Sequence, residues 1–189
     1  MKQVLVLVAD GTEEIEAVTV VDVLRRVGAK VTVASVMPQM ATIEASRGVK
    51  IVADTILRPH LFDTQWDALV LPGGMPGAEY LGLSAEVVTL IKNTKAAGNI
   101  VAAICAAPAV VLGRNGLLEG AEATCHPSFQ AELAHHTTVS NARVVDAGWL
   151  ITSQGPGTAI EFALKLVARL YSPIEAAALA EAMVVDIPI

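Results

Sequence analysis

Short apolar runs with little polar alternation recur along the chain, separated by stretches whose apolar positions return every three or four residues. The runs Val4–Val8, Ala68–Leu71 and Ile100–Ile104 predict strands covered on both faces, and Lys30–Ser35 predicts a further strand. Glu13–Val27 predicts a helix, with acids in its first turn, Arg25 and Arg26 in its last, and Gly28 as its stop. A second helix is expected from Ser84 to Ala97 before Gly98, and two more over Gly157–Leu170 and Pro173–Val184. Shorter strands are expected at Lys50–Ala53 and Glu122–Cys125, with a hairpin of Arg143–Asp146 and Trp149–Thr152 around Ala147-Gly148. Strands alternating with helices predict one α/β domain over residues 1–189. Its form is a doubly wound sandwich around a mostly parallel sheet, and ligands bind such sheets beyond the strand C-termini.

Composition sharpens this picture. Hydrophobic residues make up 53% of the 189, as a sheet buried on both faces requires. The net charge of −6 comes without a basic run, so nucleic acid is not an expected partner. The longest apolar stretch, Ile100 to Leu112, is too short to span a bilayer and contains Pro108. Val4–Ala9 lacks the flanks of a signal peptide, and the chain has two cysteines, so reduced thiols and a cytoplasmic setting are expected.

The chemistry-bearing residues gather where strands end. Cys105 follows the Ile100–Ile104 strand and precedes Ala106-Ala107-Pro108, small residues suited to a crowded strand-to-helix turn. A helix start there favours a thiolate nucleophile; an inert core cysteine is the equal alternative. Gly73 and Gly74 follow another strand and suit either an oxyanion hole or a plain tight turn. His126 is a base, an orienter for a thiol, or an ordinary loop histidine. Glu16 sits among Ile15, Ala17 and Val18, so it needs a partner if it turns inward and none if it faces solvent. Cys105, Cys125 and His126 lack metal-ligand spacing, and no Walker or G-x-G-x-x-G pattern occurs, so neither a metal nor an organic cofactor is expected.

Five segments in order carry a resemblance: Gly11-Thr12-Glu13-Glu14-Ile15-Glu16, Ser46-Arg47-Gly48-Val49, Val70-Leu71-Pro72-Gly73-Gly74, Ala102 through Pro108, and Thr152 through Thr158. With them the chain resembles the ThiJ/PfpI superfamily, in the YajL-like branch that includes the Parkinson-linked protein deglycase. The resemblance implies a flavodoxin-like fold and a homodimer. It implies Cys105 as nucleophile, Glu16 hydrogen-bonded to it, and His126 as a neighbouring imidazole. Gly73, Gly74 and Ala106 would form the oxyanion hole. Arg47 would reach Glu13 or Glu14 of the partner subunit. Protease-like members follow their cysteine with histidine, whereas Ala106 stands here, which argues against a protease. The implied activity is cofactor-free chemistry on reactive carbonyls, either conversion of methylglyoxal to lactate or deglycation of protein side chains. The alternative is a redox-sensing holdase chaperone that uses the same cysteine.

Overall fold

The computed structural model describes residues 1–186. Seven strands form the main sheet: β1 (Gln3–Val8), β2 (Lys30–Ser35), β5 (Thr55–Ile56), β6 (Ala68–Leu71), β7 (Ile100–Ile104), β8 (Val144–Asp146) and β9 (Leu150–Ser153). Their spatial order is β5-β2-β1-β6-β7-β9-β8, parallel throughout except for the β8–β9 pair. Side chains alternate across this sheet and so build two cores. Val4, Val6 and Val8 of β1 pack with α1 (Glu14–Arg26), α5 (Ala159–Leu170) and α6 (Pro173–Ala182). Leu5 and Leu7 face the other way, toward α2 (Gly77–Leu83) and α3 (Ala85–Ala96). Phe162 on α5 is fully buried, and replacing it with alanine would cost about 3–5 kcal/mol. The doubly wound sandwich expected from the alternating pattern is therefore present, in the flavodoxin-like form that the resemblance implied.

The chain leaves β1 for β2 in one direction along the sheet and later returns to add β6 and β7 on the other side of β1. The order reverses between β1 and β6, and the crevice at such a reversal is open to ligands. Three turns surround it: one after β1 leading into α1, one after β6 carrying Gly73 and Gly74, and one after β7 carrying Cys105.

Several elements differ from the pattern-based expectation. Glu122–Cys125 is not a strand, because both edges of β7 are already paired, with β6 and β9, and β8 takes the far edge of β9. The segment instead crosses the strand ends with a single bridge, Ala123 to Val139. Lys50–Val52 forms β4, but it pairs with an unexpected β3 (Thr42–Glu44) in a hairpin outside the main sheet. α2 went unforeseen because it is only seven residues long and contains Gly82. The segment behind Cys105 is a short π-helical turn, Pro108–Gly113, and Pro156–Thr158 precedes α5 as a 3-10 turn. A short α4 (Gln130–Leu133) follows another 3-10 turn, Pro127–Phe129.

Candidate active site

Cys105 has a φ of +65°, in the left-handed region that residues with a Cβ avoid. Such a conformation costs of order 1–3 kcal/mol and persists only where the surroundings impose it. Here they do: the Cys105 N–H donates to the Ser153 carbonyl of β9, and its own carbonyl accepts from the His126 N–H. Both backbone groups are spent holding the turn, and the side chain is left at the crevice, 9% exposed.

Glycine is required opposite this turn. A Cβ on Gly73 would lie 2.5 Å from the Cβ of Cys105, and one on Gly74, whose φ is +85°, would run into the Gly11 carbonyl. The chain can therefore pass close to Cys105 only without side chains, and the close approach brings backbone donors with it. The N–H groups of Gly74 and Ala106 face the thiol and favour its charged form. The Gly73 N–H is spent elsewhere: it donates to Glu16 Oε2 at 2.8 Å. Gly73 thus holds Glu16 in place, and the expected set of oxyanion donors contracts to Gly74 and Ala106.

Glu16 comes from the first turn of α1, and its inward face carries it under the glycine turn, where it is fully buried. Glu13 caps that helix, its carboxylate accepting the Glu16 N–H at 2.9 Å while its own N–H donates to the Gly73 carbonyl. One Glu16 oxygen is satisfied by Gly73; Oε1 has no hydrogen-bond partner among the described residues. Burial pushes the Glu16 carboxyl up to about 7, against the opposing pull of the Gly73 N–H and the Cys105 thiol, and the Glu13 charge adds to the rise. Burial likewise pushes the Cys105 thiol up to about 12, and an ionised Glu16 beside it adds to the rise. The two groups compete to carry one negative charge, so the proton count near neutrality belongs to the pair. The sequence pointed to a helix dipole that lowers the thiol. The structure offers a short π-helical turn and the two backbone N–H groups against a larger burial effect.

A family model described as the DJ-1/PfpI family matches residues 2–169. The chain belongs to this family. It is 47% identical over 169 residues to Protein DJ-1 homolog B of Arabidopsis thaliana, covering 89% of this chain and 38% of that protein. The chain thus spans well under half the length of that relative. Glutathione-independent glyoxalase DJR-1.2 of Caenorhabditis elegans is 33% identical over 170 residues, covering 89% of this chain and 88% of the relative. The structure of Toxoplasma gondii DJ-1, oxidized, superposes with a TM-score of 0.93 at 42% identity, covering 99% of this chain and all of that one. The DJ-1/PfpI family therefore includes a member named as a glyoxalase.

Within this DJ-1/PfpI chain, Cys105, Glu16, Gly73, Gly74 and Ala106 meet at one corner. His126 lies beside it: its backbone is tied to Cys105, and its Cδ2 would lie 3.3 Å from a Cβ on Gly155. Its ring nitrogen Nδ1 pairs with Ser128, at 2.7 Å from Oγ, and not with the thiol. Arg47 is exposed, and Glu14 bonds the loop around it within the same chain. The Glu14 carboxylate accepts from Ser46 Oγ at 2.8 Å and from the Arg47 N–H at 2.9 Å. Burial raises that carboxyl, but its own backbone N–H, the Ser46 hydroxyl and the backbone of Arg47 and Val49 together outweigh it and hold the group below its ordinary value. Ser153 and Ser128 were missed in the sequence. The first acts through its backbone, invisible to residue type, and a lone serine after proline carries no signal. Cys125 is fully buried, its Sγ 3.4 Å from the His126 carbonyl.

Proposed function

We propose that this chain is a cofactor-free enzyme acting on small reactive carbonyls, a glyoxalase or a deglycase, with Cys105 as nucleophile. The observation that carries this reading is the unpartnered Oε1 of a fully buried Glu16 at the Cys105 corner. A buried carboxyl near neutral pKa is suited to giving and taking a proton at working pH.

In this scheme the Cys105 thiolate attacks the aldehyde carbon of methylglyoxal. A C–S bond forms and the carbonyl electron pair moves onto oxygen, where the N–H groups of Gly74 and Ala106 hold it. Protonation from Glu16 gives the hemithioacetal. The Glu16 carboxylate then removes the proton from that carbon, and the hydroxyl proton of the first oxygen passes to the former ketone oxygen, giving an enediolate. Glu16 returns its proton to the neighbouring carbon, and the charge on the first oxygen closes the carbonyl of a thioester on Cys105. Water cleaves it, releasing lactate and the free thiol. Deglycation adds one bond change: on an aminocarbinol already formed on a protein side chain, the C–N bond breaks and the amine leaves with a proton from Glu16 as Cys105 takes its place on that carbon, after which the same steps follow. His126 stands at the rim as a group that meets substrate oxygen.

The test is methylglyoxal loss with lactate formation in amine-free buffer, for wild type and Cys105→Ala. Turnover confined to the wild type is expected; equal rates would remove Cys105 from the chemistry. A second reading, a redox sensor or holdase chaperone, draws on the same pair. A protonated Glu16 can donate to the oxygens of an oxidised Cys105, and one similar structure is that of an oxidized DJ-1. Intact-mass analysis after mild peroxide separates it: oxygen gained on Cys125 and not on Cys105 would remove that role.

The proposal includes a homodimer, with residues 1–189 as one domain in the cytoplasm. Ile15 and Val18, three apart on α1, are exposed beside the loop of Arg47 and the exposed Val49. A second copy would cover this apolar face and bring its own Glu13 or Glu14 toward Arg47. Among the described residues no helix is long and apolar enough to cross a membrane. Light scattering at micromolar concentration is expected to give twice the mass of 19.7 kDa; a clean monomer would reject the dimer.

A further inference from the structure

His126 precedes Pro127–Phe129 and caps that 3-10 turn: its side chain accepts the Ser128 backbone N–H, with 3.3 Å between Ser128 N and His126 Nδ1. A second Ser128 group converges on the same atom, since Oγ lies 2.7 Å from Nδ1. A backbone N–H can only donate, so Nδ1 must offer its lone pair to keep this cap. A hydroxyl can donate or accept, so the serine Oγ–H adapts and shares the single Nδ1 lone pair with the backbone N–H in a three-centre arrangement. With Nδ1 occupied as an acceptor, a neutral imidazole carries its proton on Nε2. Cδ2, the ring carbon bonded to Nε2, lies toward Gly155, in the loop just beyond Ser153, whose carbonyl holds the Cys105 N–H.

We infer that Ser128 is a positioning residue that locks His126 as the Nε2–H tautomer, so that the ring presents a hydrogen-bond donor at the rim of the Cys105 crevice. His126 then acts on a dicarbonyl by donating to its second oxygen, the ketone that becomes an enediol hydroxyl, and is not the base of the reaction. Proton removal is left to Glu16. This substrate role rests on the proposed carbonyl chemistry; the tautomer does not. The geometry also explains why the His126 ring makes no hydrogen bond to the Cys105 thiol although the two backbones are tied. A base for the thiol would need its free lone pair on the crevice side, and here that lone pair faces Ser128.

The experiment combines nitrogen-15 NMR of histidine-labelled protein with kinetics. It is run above pH 8, where an ordinary imidazole is neutral, and His126 is assigned through the loss of its signals in His126→Gln. Wild type is expected to show a protonated Nε2 and an unprotonated Nδ1. Ser128→Thr is expected to keep that signature and the wild-type kinetics. Ser128→Asp places a carboxylate beside Nδ1 and is expected to draw the proton there, inverting the tautomer. With the donor turned into an acceptor, kcat/KM for methylglyoxal should fall on the order of 10²-fold, as when an oxyanion donor is lost. Alkylation of Cys105 by iodoacetamide should stay at the wild-type rate, because Ser128 does not touch the thiol. A wild-type His126 protonated on Nδ1, or exchanging freely between the two forms, would overturn the tautomer assignment. An inverted tautomer in Ser128→Asp with unchanged kcat/KM would overturn the donor role. If wild type shows the Nε2–H form but no turnover of methylglyoxal, the carbonyl reading and the donor role fall together, and the lock by Ser128 stands.

Discussion

Cys105 and Cys125 sit on adjoining segments joined by the hydrogen bond from the His126 N–H to the Cys105 carbonyl, and burial pushes both thiols up to about 12. Their surroundings differ in kind. Cys105 occupies a left-handed turn, faces two backbone N–H groups and shares its corner with a buried carboxyl. Cys125 packs among apolar side chains, with the His126 carbonyl as its sulfur contact and Glu132 adding a weaker push upward. The comparison teaches that the height of a thiol pKa does not separate a reactive cysteine from an inert one. What separates them is whether a neighbour can take up or return the proton, and whether donors are already in place for the charge that forms.

The largest expected effect breaks the comparison at the carboxyl. Glu16→Gln keeps a hydrogen-bond donor for the thiolate but cannot shuttle a proton. Carbonyl turnover should fall by ~10²–10⁴-fold while iodoacetamide still alkylates Cys105. Glu16→Leu removes both the donor and the charge that pushes the thiol up, and should shift the pH profile of Cys105 alkylation. Both are measured with Cys125 replaced by serine, and matching alkylation profiles for Glu16→Leu and wild type would separate Glu16 from the thiol.

The next effect is on stability against pH. Glu16 binds its proton more tightly in the folded chain, at about 7 against an ordinary 4.5. Its contribution is fully present below pH 4.5 and is lost as pH rises through about 7, a change of roughly 3 kcal/mol. Urea unfolding at several pH values should show wild type losing stability over this window relative to Glu16→Gln. Parallel curves for the two proteins would mean that the carboxyl is not shifted.

At the other cysteine the effect should be structural and small. Cys125→Ala removes a buried sulfur and should cost ~1 kcal/mol in denaturant unfolding, with carbonyl turnover within about twofold of wild type. A tenfold loss of turnover in a stably folded Cys125→Ala would place that thiol in the chemistry. The smallest effect tests strain at Cys105. Cys105→Gly should be more stable than Cys105→Ala by ~1 kcal/mol, because only glycine takes a φ of +65° freely. Equal stability would mean that the turn carries no strain.

Much of this molecule is legible before it folds. The strands β6 and β7 match their apolar runs to the residue, because strands buried on both faces have no polar position to blur their ends. α1 is legible for a related reason: its acids, its arginines and Gly28 mark both termini. Cys105 and the Gly-Gly turn are visible as strand-end residues, and the ordered motifs name Glu16 as the acid beside the thiol.

Local pattern alone carries the alternation of strands and helices, the double-sided sheet and the residue types at each strand end. Which donors face the thiol and which are spent emerges with the folded chain. Gly73 and Gly74 are adjacent and identical in type, yet one N–H holds Glu16 and the other faces Cys105. Glu13, Glu14 and Glu16 are likewise near neighbours with three separate tasks: capping a helix, tying down the Arg47 loop, and sharing a proton with a cysteine 89 positions away. The physical reason is that a hydrogen bond is directional and a buried charge answers to all its neighbours at once. Both are properties of where the chain returns to itself, which no local stretch of residues contains.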